Sequence, residues 1–174
     1  MWARTCTVTS GGRSVRSAVE PMILTERELN EIFSHAEETY PEEACGIVIG
    51  KPGDPGTNSV RRCGNLANQY HREDPIRNPR DAKTAYIMDP KDLLRIQSEA
   101  DANGCEFVLL YHSHPDHEAY FSETDRELAL FGDEPVWPQL RYLVVSVKNG
   151  TVSYFKVFSW DANERQFEEL SAVE

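Results

Sequence analysis

Two histidines stand one residue apart at the end of an apolar run, Phe107-Val108-Leu109-Leu110-Tyr111-His112-Ser113-His114-Pro115. Side chains two apart on a strand share a face, so on a strand both imidazoles aim at one spot and can offer nitrogen ligands to a metal. An ordinary surface or hydrogen-bonded pair is the alternative for any His-X-His. Downstream, Ser122-Glu123-Thr124-Asp125 opens a predicted helix through Leu128, Ala129 and Phe131. Asp125, one turn in, can turn its carboxylate back toward the strand end. His112, His114 and Asp125 then make a mixed nitrogen and oxygen set that leaves a fourth tetrahedral position for water, as in a catalytic zinc site. Ser122 and Asp125 also read as a plain helix cap, the serine oxygen accepting a backbone N–H and the acid favoured by the helix dipole.

Water activated by a metal needs a proton acceptor. Pro41-Glu42-Glu43-Ala44-Cys45-Gly46 leads into the apolar run Ile47-Val48-Ile49 and supplies a carboxylate beside a buried strand. Taken alone, Glu42 and Glu43 read as the solvated end of the preceding helix. Taken with the histidine loop, Glu43 becomes the candidate base.

Together these residues resemble the JAMM signature of the MPN-plus zinc metallopeptidases: a glutamate, a long gap, His-Ser/Thr-His, seven residues, a serine, two residues, an aspartate. Glu43, His112, His114, Ser122 and Asp125 fall on it without adjustment. The Pro-X-Glu-X-Cys-Gly setting of Glu43 is similar to the bacterial members, and the likeness runs from Ile23 to Phe158. It departs at Phe121, where many members have proline, which bears on loop shape and not on a functional position.

The resemblance implies an α/β (α+β) fold, a curved, mixed and mainly antiparallel sheet flanked by helices, similar to cytidine deaminases. It implies one Zn²⁺ per chain on His112, His114 and Asp125. Glu43 would take the proton of water and hand it to the departing amine, and the Ser122 hydroxyl would help stabilise the oxyanion. Ser113, on the opposite face, would fix the strand end, with Asp116, His117 and Glu118 at the rim. The substrate implied is a ubiquitin-like protein cut after its Gly-Gly tail. Lacking recognisable insertions, the chain resembles stand-alone bacterial members that process a sulfur carrier, releasing cysteine from an adduct or trimming the carrier. The tail could pair along a sheet edge near Ala85–Met88. A zinc deaminase would need His-X-Glu with Pro-Cys-X-X-Cys, and neither occurs. A non-catalytic MPN-type scaffold is the second alternative, although such domains typically lack the metal ligands.

The elements that must position these groups are legible in part. Thr25-Glu26-Arg27-Glu28 is a capping box, and Leu29, Ile32, Phe33 and Ala36 follow at helical spacing up to Tyr40. A strand over Cys45–Gly50, a turn over 51–56 and a partner strand over Ser59–Cys63 come next. Asn65–Lys83 reads as a long loop, with His71 a solvated loop histidine. Ala85–Met88 reads as a short strand. A helix starts at Pro90, with Leu93, Leu94 and Ile96 inward, and stops at Asn103-Gly104. Leu140–Val147 and Val152–Phe158 flank the hairpin signal Asn149-Gly150, and Arg165–Leu170 adds a last strand.

The whole has 174 residues, enough for one domain over 22–174. A net charge of −11 excludes the basic footprint of a nucleic-acid binder. The four cysteines show no CxxC spacing and read as free, mostly buried thiols, in keeping with a cytoplasmic enzyme. Residues 1–21, rich in Arg and Ser, without an apolar signal core, read as a disordered tail. No stretch is long and apolar enough to span a membrane.

Overall fold

The computed structural model describes residues 24–170; the expected tail over 1–21, with Cys6, lies outside them. Helix α1 (Glu26–Thr39) begins at the predicted capping box, where the Thr25 N–H donates to Glu28 Oε2 at 2.8 Å. Strands β1 (Cys45–Lys51) and β2 (Asp54–Cys63) form a hairpin, followed by α2 (Ala67–Glu73) and α3 (Pro90–Asn103). Strand β3 (Glu106–Pro115) leads to α4 (Glu123–Ala129) and to a separate ribbon, β4 (Leu130–Phe131) with β5 (Glu134–Pro135). The chain closes with β6 (Arg141–Lys148), β7 (Thr151–Asp161) and β8 (Gln166–Leu170). The main sheet has the order β2-β1-β3-β6-β7-β8, and within it β3 and β6 alone run parallel. This is the expected mixed, mainly antiparallel sheet flanked by helices.

Alternation along the central strands assigns the two faces. Val48, Leu109, Tyr111, Leu143, Val145 and Val147 point to one side and bury the α1 stripe of Leu29, Ile32 and Ala36. Ile32 is fully buried, so truncating it to alanine should cost about 2–5 kcal/mol. On the other side, Ile47, Ile49 and Cys63 pack under Ile96 and Ala100 of α3, and Tyr142 and Val144 pack beside Phe121, Phe158 and Phe167. His112 and His114 emerge on this second side. Gly46 is required on the α1 face: a Cβ there would collide with the Tyr111 hydroxyl and the Arg61 carbonyl oxygen.

Several expectations are corrected. Asn65–Lys83 is not one loop, because α2 forms within it with Ala67 buried. Its seven residues carry no apolar stripe, so periodicity could not show it. Ala85–Met88 is extended, yet it pairs through a single bridge, Met88 to Asn65, and is no ladder strand. Leu94 does not face inward; it is 70% exposed, since the buried stripe of α3 follows Leu93, Ile96 and Ala100. Helix α4 ends at Ala129, leaving Phe131 on the ribbon and 86% exposed. The hairpin at Asn149-Gly150 is present, both residues at positive φ. Among the described residues the cysteines are free, Cys45 and Cys63 buried and Cys105 partly exposed.

Candidate metal centre

The end of β3 is held from both sides. His112 lies in register with Cys45 of β1 and Val144 of β6, and His114 with Ser146 of β6. Ser113, on the opposite face, accepts the Ala44 N–H on its hydroxyl at 2.9 Å, fixing the strand end as expected. Beyond Pro115 the chain turns at Asp116, whose φ of 58° is left-handed. That turn is pinned by the Asn149 N–H on Asp116 Oδ1 at 2.9 Å and the Tyr40 hydroxyl on Oδ2 at 2.9 Å. An aspartate tolerates this conformation better than most residues, and here both carboxylate oxygens are used to keep it.

From this platform the two imidazoles converge, Nε2 to Nε2 at 3.1 Å. Asp125 Oδ1 lies 3.5 Å from His112 Nε2, and one ligand atom from each of the three residues falls within 4.8 Å of the others. All three side chains are buried. His114 Nδ1 donates to the Glu118 carbonyl at 2.9 Å, which places its proton on the far nitrogen and leaves Nε2 a lone pair facing the site. Asp125 serves as cap and candidate ligand at once. Its Oδ2 accepts the Ser122 N–H at 2.8 Å and the Ser122 hydroxyl at 2.6 Å, while Oδ1 is left to face His112. The two readings of Ser122 and Asp125 are thus one arrangement.

The electrostatics show what this donor set requires. Burial works to lower the His112 pKa, but the Asp125 carboxylate beside it overcomes that and raises it. Burial and the charge of His112 push His114 down to about 4. Burial works against an ionised Asp125, yet His112 and the Ser122 hydrogen bonds hold it well below the ordinary carboxylate range. The His114 lone pair and a carboxylate oxygen facing one point call for a proton on His112 Nε2 or a cation between them, and the negative charge of Asp125 favours a positive one. His112 Nδ1 is buried without a partner among the described residues, so nothing on that side commits its tautomer. Two imidazoles and a carboxylate fit zinc, and the site can hold a metal.

Glu43 opens onto the same cleft, of about 160 Å³, as do His114, Ser122 and Asp125. It is buried just before β1, its N–H donating to the Ala82 carbonyl at 2.7 Å. Glu42 turns away and accepts from Asn68 Nδ2 at 2.7 Å, so Glu43, and not its neighbour, faces the cleft. Burial lifts the Glu43 pKa to about 7, against the attraction of His112 and Arg80 and with the repulsion of Asp125.

Four residues at the site escaped the sequence reading. The Asn65 amide spends its whole hydrogen-bonding capacity here. Its Nδ2 donates to the carbonyls of Glu43 and Ala85, each at 3.0 Å, and its Oδ1 accepts the N–H groups of Ala67 at 2.9 Å and Ile87 at 3.0 Å. Tyr86 stacks on His112 at 4.5 Å, Tyr120 meets His114 edge-on at 4.9 Å, and Arg80 lines the cleft. No spacing rule flags a lone asparagine, arginine or tyrosine; only Asn65, directly after a strand, offered a turn signal. His117 is exposed at the rim and outside the ligand cluster, as expected. His71 sits on α2 and hydrogen-bonds the Asn78 carbonyl at 2.7 Å.

Residues 25–162 match the family of prokaryotic homologs of the JAB domain. The chain belongs to that family. The CysO-cysteine peptidase of Mycobacterium tuberculosis is 30% identical over 122 residues, covering 70% of each chain. The desampylase of Haloferax volcanii is 29% identical over 148 residues, covering 83% of this chain and 89% of its own. A solved structure from Desulfitobacterium hafniense aligns with a TM-score of 0.60 at 25% identity, over 84% of this chain and 87% of that one. The JAMM resemblance read from the spacing agrees with this prokaryotic JAB membership.

Proposed function

We propose that this chain is a zinc-dependent peptidase that hydrolyses the amide bond after the C-terminal Gly-Gly of a ubiquitin-like sulfur-carrier protein. The observation that carries the reading is the convergence of His112, His114 and Asp125 in one cleft with a buried Glu43. Those three residues would hold Zn²⁺. When bound, zinc lowers the pKa of water toward about 7 and polarises a carbonyl. Glu43 takes the proton of the attacking water and returns it to the departing amine; burial raises its carboxyl and a bound cation would draw it back down. Ser122 orients Asp125 through Oδ2; its hydroxyl reaches a developing oxyanion by rotating away from that oxygen.

A cleft of about 160 Å³ is of a size for an extended tail and not for a folded body. Ala85 and Ile87 spend their inward backbone groups on Asn65, whereas the Tyr86 N–H and C=O are open among the described residues, so a tail can pair there. The relatives' names, CysO-cysteine peptidase and desampylase, point to small protein modifiers as the substrate class. Residues 22–174 act as one domain in this reading, and buried free thiols suit a cytoplasmic setting. No helix among the described residues is long and apolar enough to cross a membrane.

The test is the metal content of the purified chain, together with cleavage of a sulfur carrier extended past its Gly-Gly. About one zinc per chain and chelator-sensitive cleavage are expected. A chain that takes up no zinc when it is supplied would be a scaffold and not an enzyme.

A further inference from the structure

Arg80 is the one lysine or arginine that lines the cleft, and it forms no salt bridge among the described residues. Arg27, Arg61, Arg62, Arg95 and Arg165 each sit against a carboxylate. Arg72, Arg77 and Arg126 likewise form no ion pair among the described residues, but none of them lines the cleft; Arg80 joins an unpaired charge to a place beside the site. Its hydrogen-bond partners are neutral: Nη2 donates to the Thr124 hydroxyl at 2.6 Å, and Nη1 to the Thr84 carbonyl at 3.4 Å. Thr124 adjoins the ligand Asp125, so the fork is tied to the helix turn that carries the site. Arg80 also lies close enough to Glu43 for its charge to be felt there. Two of the five N–H donors are used, and the rest are available to a planar anion.

We infer that Arg80 receives the α-carboxylate of the residue released by hydrolysis, so that the chain removes a single C-terminal amino acid in preference to cutting an isopeptide bond. This rests on the peptidase reading above. In a carrier extended by one residue, the α-carboxylate is one carbon from the scissile nitrogen and travels with the leaving amine. A lysine side-chain amine brings no carboxylate that near, and an internal peptide bond brings a neutral amide. A cation beside the base and the ligands therefore separates these substrates by charge alone. It favours the acid-terminated one through charge-assisted, bidentate hydrogen bonds.

The test uses the zinc-supplied full chain and two peptides ending in Gly-Gly-Ala, one a free acid and one a C-terminal carboxamide. Alanine keeps a substrate thiol away from the metal. The wild type should cleave the acid with kcat/KM about tenfold or more above the amide. Arg80→Ala should erase that preference by slowing the acid about tenfold more than the amide, and Arg80→Lys should keep part of it. In a Glu43→Gln background, calorimetry should show tighter binding of the acid, lost on adding Arg80→Ala. Equal cleavage of acid and amide by the wild type overturns the assignment and leaves the peptidase reading standing, as does an Arg80→Ala variant that slows both alike. Failure of the zinc-loaded wild type to cut either peptide or a carrier protein overturns the peptidase reading itself.

Discussion

Tyr111 and His112 are neighbours on β3 and send buried side chains to opposite faces of the sheet, where each meets a histidine. On the α1 face, His35 Nδ1 and the Tyr111 hydroxyl share one hydrogen bond at 2.8 Å. That pair is closed between neutral groups: burial, then the charge of Arg62, holds the His35 pKa at about 4. On the other face, the two Nε2 atoms and an Asp125 oxygen crowd together with lone pairs and one negative charge between them. Burial of a histidine is common to both faces. What separates packing from a site is whether the ring nitrogens are spent on a neutral partner or converge in want of a cation.

The sharpest way to break the comparison is to remove one group from each face. His114→Ala should take zinc content from about one per chain to near none and abolish cleavage, with the circular dichroism spectrum unchanged. Glu43→Gln should keep the zinc and lower kcat by about 10²–10⁴-fold. Tyr111→Phe, one residue from the candidate ligand His112, should leave both metal content and kcat near wild type. If Tyr111→Phe lost zinc as His114→Ala does, the two faces would be coupled and the distinction between them would fail.

Ser122→Ala comes next in size. It removes the hydroxyl from Asp125 Oδ2 but leaves the Ser122 N–H in place, so the carboxylate keeps one of its two anchors. Zinc affinity should fall about 10–100-fold, as for other losses of a group that orients a metal ligand. At saturating zinc, a further drop in kcat of about 10²-fold or more is expected if the hydroxyl also serves the oxyanion. Recovery of full kcat once zinc is saturating would restrict Ser122 to holding Asp125.

The balance between what could and could not be read in the sequence follows from the same physics. His112, His114, Ser122 and Asp125 share one local stretch, and strand alternation with a helix cap brings them together with little help from the rest of the fold. Glu43 is far away in sequence and had no geometric warrant until β1 was seen beside β3; the JAMM resemblance supplied it. Asn65, Arg80 and Tyr86 lie in the segment least marked by periodicity. The saturated Asn65 amide ties Glu43 to Ala85 and Ile87 on either side of Tyr86, and Arg80 is held by Thr84 and Thr124. Leu94 and Phe131 are exposed for a related reason: apolar identity does not bring burial where the stripe has already passed or the helix has ended.

Asn65→Asp tests that tie. The substitution keeps the shape and removes both donors, turning a carboxylate toward the carbonyls of Glu43 and Ala85. Leaving those acceptors unpaired should cost about 2–3 kcal/mol in urea unfolding. Activity per zinc-loaded molecule should fall as well, because the Glu43 backbone loses an anchor. Destabilisation with unchanged kcat would make Asn65 a structural bracket alone.

The smallest expected effect belongs to the closed face. The His35 pKa is about 4 in the folded chain, below the ordinary 6.5, because burial disfavours the imidazolium and Arg62 repels it. Between those values the unfolded chain binds the proton and the folded chain does not, so stability rises with pH across this window. The contribution is complete above about pH 6.5 and is lost as pH falls toward about 4. His35→Gln retains an amide for the Tyr111 hydroxyl and carries no titration. The wild type should therefore lose stability relative to His35→Gln on going from pH 7 to pH 4.5, while carboxylates common to both cancel in the difference. Urea unfolding of the two proteins at both pH values checks this. A difference that stays flat would mean that His35 accepts its proton in place, and the α1 face would then share the demand for charge that marks the metal centre.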